Sequence, residues 1–154
     1  VGDFAVIPEQ TGWSISAPVE NLTLGSWKAQ KQPFYSWGVS YSKEYEVKSL
    51  STPYAVQLND WKGTLAEVYV NDQKAGIIAY DPYRLDITPY LKEGKNKVDV
   101  RVIGSHKNLL GPHYRHPAPG LASPWHWKNI DKQIPGSEYQ MMDYGLMTDF
   151  DLVH

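Results

Sequence analysis

The sequence predicts an antiparallel β-sandwich of the jelly-roll type, and three observations support this fold class. Several short windows alternate apolar and polar residues, turn residues separate these windows, and no long segment follows the 3.6-residue period of a helix. A chain of 154 residues with 42% hydrophobic and 21% charged residues is long enough and apolar enough to build a core. We therefore predict a single domain over residues 1–154.

Two segments show the clearest strand alternation. The segment "VSYSKEYEV", residues 39–47, places apolar and aromatic residues on one face and Ser or Glu on the other. The inward set is Val39, Tyr41, Tyr45 and Val47. The segment "KVDVRVI", residues 97–103, directs Val98, Val100 and Val102 inward and Lys97, Asp99 and Arg101 outward. This pattern is typical of half-buried antiparallel strands.

The remaining strands follow in chain order. "YAVQLN" (54–59) is one, and "TLAEVYV" (64–70) and "QKAGIIAY" (73–80) form a hairpin around Asn71 and Asp72. In "DITPYLKEGKN" (86–96), Thr88 is placed to cap a short helical turn that Gly94 ends. "SEYQMMDY" (137–144) and "GLMTDFDLV" (145–153) supply the closing strands. Many short strands with frequent turns favour a sandwich.

Residues 104–137 are predicted to form a long ordered loop. Five prolines interrupt them, and neither periodicity fits. Irregular segments of this length in compact domains are usually functional or disordered. The apolar and aromatic residues of the loop give it material to bury, so we expect it to lie ordered over the sandwich.

Particular segments of the chain are similar to a known family. "LGSWKAQKQPFYSWGVSYSKEYEV" and "LNDWKGTLAEVYVNDQKAGIIAYDPYRLDITPYLKEGKNKVDVRV" resemble the β-sandwich sugar-binding domains of the glycoside hydrolase family 2 type, which are galactose-binding-domain-like. The segments from "NLLGPHYRHPAPGLASPWHW" to "YQMMDYGLMTDF" resemble the closing part of such modules at the ends of large bacterial polysaccharide-degrading enzymes. The resemblance covers about residues 20–154. It implies an accessory module and assigns no catalytic residue to this chain.

Aromatic residues of the long loop are the first candidates for sugar contact. An aromatic plane can stack on the C–H face of a pyranose while nearby polar groups bind its hydroxyls. The candidates are His113, Tyr114, Trp125 and Trp127. The alternative is that these rings anchor the loop to the sandwich.

Two further candidate sets lie at turns. Asn59, Asp60 and Trp61 combine an amide, a carboxylate and an indole where a strand ends, and such groups can clamp vicinal hydroxyls. The alternative is local turn chemistry, in which Asn and Asp bond their own backbone. Tyr80 and Tyr83 border the Asp81-Pro82 turn, and there the simpler interpretation is packing at the sandwich edge.

Metal and catalytic signals are weak. His113 and His116 have an H-x-x-H spacing, but prolines bracket them, so we expect no zinc site and no cofactor. A structural calcium ion would be compatible with a jelly roll, although the sequence names no ligands for it. No nucleophile motif is present. Asp149 and Asp151 fall on one face of the predicted last strand, where we expect a solvated surface.

The composition of the chain limits the classes of binding partner that we expect. The net charge is −2 with a pI near 6.2, and no basic stripe suggests nucleic acid. No apolar run approaches the roughly 20 residues of a membrane helix. We expect a non-catalytic carbohydrate-binding or accessory module of a glycoside hydrolase, secreted, periplasmic or on the surface of a bacterium. Its partners would be a glycan and the catalytic domain of the same polypeptide. The alternatives are a purely structural sandwich packed on that domain, or an independent lectin or adhesin.

Overall fold

The structure, a computed structural model, describes residues 3–111, 113 and 135–154. It contains two compact units. Unit 1 draws on residues 1–23, 27–36 and 105–143, and unit 2 on residues 24–26, 37–104 and 144–154. The single domain over residues 1–154 stays a prediction.

A four-stranded antiparallel sheet forms the larger half of unit 2, with the strand order β3-β9-β6-β7. Its strands are β3 (Gly38–Val47), β6 (Leu65–Val70), β7 (Gln73–Ile78) and β9 (Gly94–Ile103). Tyr41 pairs with Val100, and Val100 pairs with Val68 on its other side. These three side chains are buried on one face, as the alternation in residues 39–47 and 97–103 predicts.

The second sheet of unit 2 has three strands in the order β11-β4-β8. These are β4 (Ala55–Gln57), β8 (Arg84–Asp86) and β11 (Asp151–Val153), and a separate short pair joins β5 (Trp61–Lys62) to β10 (Gly145–Leu146). The two larger sheets contact each other: a Cβ on Gly76 would lie 3.0 Å from the Leu85 side chain. The ring of Tyr45 lies 6.3 Å from that of Phe150. The predicted all-β antiparallel sandwich is confirmed.

The β6–β7 hairpin closes through the predicted Asn71-Asp72 turn. Both residues have positive φ, 50° and 66°. Asn and Asp tolerate this left-handed conformation better than most residues, and two such residues in succession match the right-handed twist of the flanking strands. The Asn71 amide also donates to the Asn96 side-chain oxygen at 2.9 Å, which ties the turn to β9.

Two local predictions are wrong. Residues 137–144 contain a 3₁₀ turn at Gly136–Glu138 and irregular backbone instead of a strand. Thr88 is the first residue of the 3₁₀ turn Thr88–Tyr90 and does not cap it, because its hydroxyl donates to Asp86 and to the Tyr54 carbonyl. Gly94 does not end the turn, since it is the first residue of β9. Asp99 faces outward, as predicted, but it is buried there. Its carboxylate accepts a hydrogen bond from Ser42 and pairs with Lys97 at 3.1 Å.

Unit 1 begins with a hairpin that the sequence did not reveal, β1 (Ala5–Pro8) with β2 (Trp13–Ser16). A helix of one turn, α1 (Lys107–Leu110), follows β9 in the chain. Asn108 of this helix is buried, and its amide donates to the carbonyls of Pro33 and Met142 at 2.8 Å each. Most of the long loop predicted over residues 104–137 lies outside the described residues.

In the described part of the chain, no helix is long and apolar enough to cross a membrane. The only α-helix found within residues 3–111, 113 and 135–154 is α1, which agrees with the low helix content that the strand alternation predicts.

The core of unit 2 supplies the first prediction. Leu58 is 1% exposed, whereas Leu50, also in unit 2, is 37% exposed. We expect Leu58→Ala to lower the free energy of unfolding by about 2–5 kcal/mol through lost burial and a cavity. The matched change Leu50→Ala should cost less than about 1 kcal/mol. Urea unfolding of both variants checks this, and equal losses would contradict the placement of Leu58.

Candidate functional site

Two aromatic side chains meet at one end of the three-stranded sheet in unit 2. Trp61 opens β5 and Tyr83 immediately precedes β8, and their ring centroids lie 5.5 Å apart with the planes at 84°. Both side chains are half-buried. The edge-to-face arrangement is a favourable one for aromatic pairs, so each ring holds the other in place.

Backbone hydrogen bonds fix the loop that carries Tyr83. The Tyr83 N–H donates to the Tyr80 carbonyl at 2.9 Å, and the Tyr83 carbonyl accepts from Leu58 N–H at 3.0 Å. Tyr83 has a φ of 55°, in the left-handed region that aromatic residues seldom adopt. Such conformations cost free energy and persist only where the surrounding structure holds them, and they are found most often at functional sites.

The chain is equally well anchored beside Trp61. The Asp60 carbonyl accepts from the N–H groups of Met147 and Thr148 at 2.9 and 3.1 Å, and the Asp60 N–H donates to the Thr148 hydroxyl at 3.2 Å. A Cβ on Gly63 would lie 3.1 Å from the Trp61 ring and 2.8 Å from the Val102 side chain. Glycine at position 63 therefore leaves room for the indole.

The Asn59 and Asp60 side chains differ in how they are used. The Asn59 amide donates to the Asp151 carboxylate at 2.8 Å, a contact across 92 residues of sequence. The Asp60 carboxylate is exposed and forms no hydrogen bond or ion pair within residues 3–111, 113 and 135–154. Within the described residues, neither side chain bonds to its own local backbone, as the alternative of turn chemistry would require.

Several polar atoms around the ring pair are free to bind a ligand. Within the described part of the chain, the Trp61 indole N–H and the Tyr83 hydroxyl have no hydrogen-bonding partner. Tyr80 lies at the rim with 86% of its surface exposed, and it joins the cluster through its backbone carbonyl. The cluster combines a fixed pair of aromatic rings, whose own N–H and O–H groups can donate, with the exposed carboxylate of the residue before Trp61.

The sequence did not identify two residues of this cluster, Thr148 and Asp151. They approach Asn59 and Asp60 only because β11 pairs with β4. The expectation that Asp149 and Asp151 share a strand face is wrong, because β11 begins at Asp151 and Asp149 precedes it. Asp149 pairs with Lys43 at 3.0 Å, so the two carboxylates have different partners.

His113 belongs to unit 1, where it forms part of a ring cluster. It stacks on Tyr139 with centroids 5.4 Å apart and meets the edge of Phe34 at 5.8 Å. Trp13 contacts Phe34 and Tyr139 at 5.0 and 5.6 Å, which closes a circuit of four rings. The other loop candidates, Tyr114, Trp125 and Trp127, lie outside the described residues.

Burial, followed by the positive charge of Lys107, holds the pKa of His113 below its ordinary value. The His113 Nδ1 atom is buried and has no hydrogen-bond partner among the residues that the structure describes. A buried imidazole without a partner is more stable neutral than charged. Among the described residues, this environment is that of a packed ring and lacks the other side chains of a metal ligand set.

No group of three or more His, Cys, Asp or Glu side chains that could hold a metal ion is found among residues 3–111, 113 and 135–154. A calcium site can also draw on Asn and backbone carbonyl oxygens, so this finding bears chiefly on transition metals.

Comparison with known proteins gives a consistent set of relatives. No protein-family model matches the chain. Two curated relatives from Formosa agariphila are each described as "Putative beta-glucuronidase". One is 29% identical over 112 residues, which cover 64% of this chain and 10% of the relative. The other is 38% identical over 74 residues, which cover 46% of this chain and 9% of the relative. The matched parts therefore span about a tenth of the relatives.

A solved structure extends the likeness to nearly the whole chain. The rhamnosidase from Novosphingobium sp. PP1Y resembles 98% of this chain, with a TM-score of 0.57 and 22% sequence identity. The matched part is 14% of that protein. At this level of identity the likeness concerns the fold alone. It agrees with the sandwich described above.

The environment of His113 supplies the second prediction. Since its pKa is lowered, the unfolded chain takes up a proton near pH 6.5 before the folded chain does. Acidification through that region should therefore destabilise the protein, and the contribution should be fully present at higher pH. Unfolding measured between about pH 7.5 and about pH 5 should show a weaker pH dependence for His113→Phe, which keeps a ring but cannot titrate. An NMR titration placing the His113 pKa above 6.5 would contradict this account.

Proposed function

We propose that this chain is a non-catalytic carbohydrate-binding module of a larger glycoside hydrolase, and that it binds sugar at Trp61, Tyr83 and Asp60. One observation carries the proposal: the perpendicular Trp61–Tyr83 pair is joined in the chain to Asp60, whose carboxylate is exposed and has no partner among the described residues. Asn59 and Tyr80 complete the site, Asn59 through its bond to Asp151 and Tyr80 as an exposed ring at the rim.

The chemistry of this cluster suits a sugar ring. A pyranose presents a face of C–H groups, which stacks on an aromatic surface, and a rim of hydroxyls, which need hydrogen-bond partners. The Asp60 carboxylate accepts from two hydroxyls, while the Trp61 N–H and the Tyr83 hydroxyl donate. Because backbone hydrogen bonds already hold these residues, binding requires little ordering of the protein.

The larger context of the module is also proposed. The curated relatives and the structural neighbour carry names of glycosidases, and this chain matches only 9–14% of each. We infer a parent polypeptide that contains a separate catalytic domain, acts on glycans, and is secreted, periplasmic or exposed on a bacterial surface. A structural calcium ion stays a prediction.

The site should lose affinity when either the carboxylate or the indole is removed. We expect Asp60→Ala and Trp61→Ala to weaken glycan binding by about 1–3 kcal/mol, taking base stacking as a loose guide for the ring. Asp60→Ala should leave the free energy of unfolding within about 0.5 kcal/mol, because its carboxylate has no partner among the described residues. A glycan array identifies the ligand, and calorimetry with that glycan measures each variant.

The matched control is Asp72→Asn, which removes the charge but keeps a residue type that tolerates the positive φ of this position. Asp72 is an exposed aspartate in the β6–β7 turn, at the opposite end of β6 from Trp61, and its side chain is 88% exposed. This variant should bind the glycan normally. If the intact chain binds no glycan on the array, the alternative of a purely structural sandwich replaces the proposal.

The module should have no hydrolytic activity of its own. Within the described part of the chain, Asp149 pairs with Lys43 and Asp151 accepts a hydrogen bond from Asn59. The Asp60 carboxylate forms no hydrogen bond or ion pair there. Glycoside hydrolysis normally needs two carboxylates placed on either side of the scissile bond. We expect the purified chain to release no product from aryl glycosides. Turnover that Asp60→Asn abolishes would show that the chain is catalytic.

A further inference from the structure

A second aromatic surface lies on the outer face of the four-stranded sheet. Trp37 immediately precedes β3 and is 66% exposed, which is unusual for so large an apolar side chain. Its carbonyl accepts from Gly104 N–H at 3.2 Å, just beyond the end of β9. The Arg101 guanidinium lies over its ring, with the central carbon 5.9 Å from the centroid.

The Arg101 side chain is held against the sheet. Arg101 of β9 pairs with Ser40 of β3 and with Glu67 of β6. A Cβ on Gly38 would collide with Arg101 Nε and would lie 2.7 Å from Ile103 Cδ1. Only glycine at position 38 leaves this space, so the absence of a side chain there lets Arg101 reach across β3 towards Trp37.

Arg101 is incompletely neutralised. Its nearest anion is Glu67 at 3.7 Å, but the Glu67 carboxylate is already engaged by Lys74 at 2.6 Å and by the Tyr69 hydroxyl at 3.2 Å. The hydrogen bond from Lys74, with Arg101 contributing less, lowers the pKa of Glu67 and keeps it ionised. Two cations therefore share one carboxylate, and this group carries a net charge of +1.

The guanidinium is also free to bind. Arg101 makes no hydrogen bond within the described part of the chain, although its side chain is 31% exposed. A guanidinium offers five N–H donors in a planar fork that matches a carboxylate or another oxyanion. The Trp37 indole N–H has no partner among the described residues either.

We propose that Trp37 and Arg101 form a second sugar site, distinct from Trp61, and that it takes an acidic sugar. The sugar ring stacks on the exposed part of the indole, and its carboxylate or sulfate ester binds the Arg101 guanidinium. Charge complementarity favours an anion here, because the Arg101, Glu67 and Lys74 group is positive. The open indole favours a ring over an acidic peptide side chain. The proposal stands whether or not Trp61 binds sugar.

Calorimetry of the whole 154-residue chain tests the site. The probes are tetragalacturonate, a sulfated galactan tetrasaccharide, a neutral galactan tetrasaccharide and a tetraglutamate peptide. We expect at least one acidic probe to bind more tightly than the neutral one. Its affinity should fall as NaCl rises from about 20 mM to about 500 mM, since an exposed ion pair is screened by salt. The stronger acidic probe identifies whether a carboxylate or a sulfate is preferred.

Variants separate the two sites. Arg101→Gln and Trp37→Ala should each weaken binding of the acidic probe about tenfold or more. The control Lys97→Gln removes a cation from the same strand face, but one already paired with Asp99 at 3.1 Å, and should change affinity less than about threefold. Thermal melts confirm that the variants remain folded.

The outcomes are distinct. Loss of acidic-probe binding in Arg101→Gln and Trp37→Ala but not in Trp61→Ala supports the second site. Unchanged affinity in Arg101→Gln, or no binding of either acidic probe, overturns it. Loss only in Trp61→Ala assigns the acidic sugar to the first site and also overturns it. Binding of an acidic peptide in place of both sugars would show that the surface recognises protein instead.

Discussion

The pairing of β9 with two neighbours is the constraint on which unit 2 depends. β9 pairs with β3 along its whole length and with β6 from Val98 to Ile103. A strand paired on both sides has its register fixed twice, and a slip of one residue would move Val98, Val100 and Val102 from the core to the surface. The burial of these three valines therefore determines which residues face the second sheet and which face solvent.

The two candidate sites depend on this strand register in different ways. The outward row that contains Arg101 brings Ser40 and Glu67 beside it, and the end of β9 brings Gly104 to Trp37. The Trp61 site lies instead where short strands end, held by backbone bonds to Asp60 and Tyr83. One site is thus set by strand pairing and the other by turns. Their charges differ accordingly. Within the described residues, the first site has a carboxylate without a partner, and the second has a guanidinium that shares its one carboxylate with Lys74.

The comparisons bear on the kind of parent protein, and the geometry of the two candidate sites bears on the proposed ligand. The relatives named as glycosidases indicate the kind of protein in which such a sandwich occurs, and this chain matches only a small part of each. A fold of this kind serves many functions, so the particular role must come from the sites. Aromatic surfaces with unpaired polar groups are the features of this chain that suit a sugar.

The sequence by itself determined the antiparallel strands β3, β6, β7 and β9, because alternation with a period of two and an Asn-Asp turn are local signals. It also indicated Asn59, Asp60 and Trp61 as a group, since they are adjacent in the chain. Only the tertiary structure placed Tyr83 against Trp61, Asp151 against Asn59, and Arg101 over Trp37. It also showed residues 137–144 as irregular and Asp99 as buried. These features depend on contacts between residues far apart in sequence, which no local pattern records.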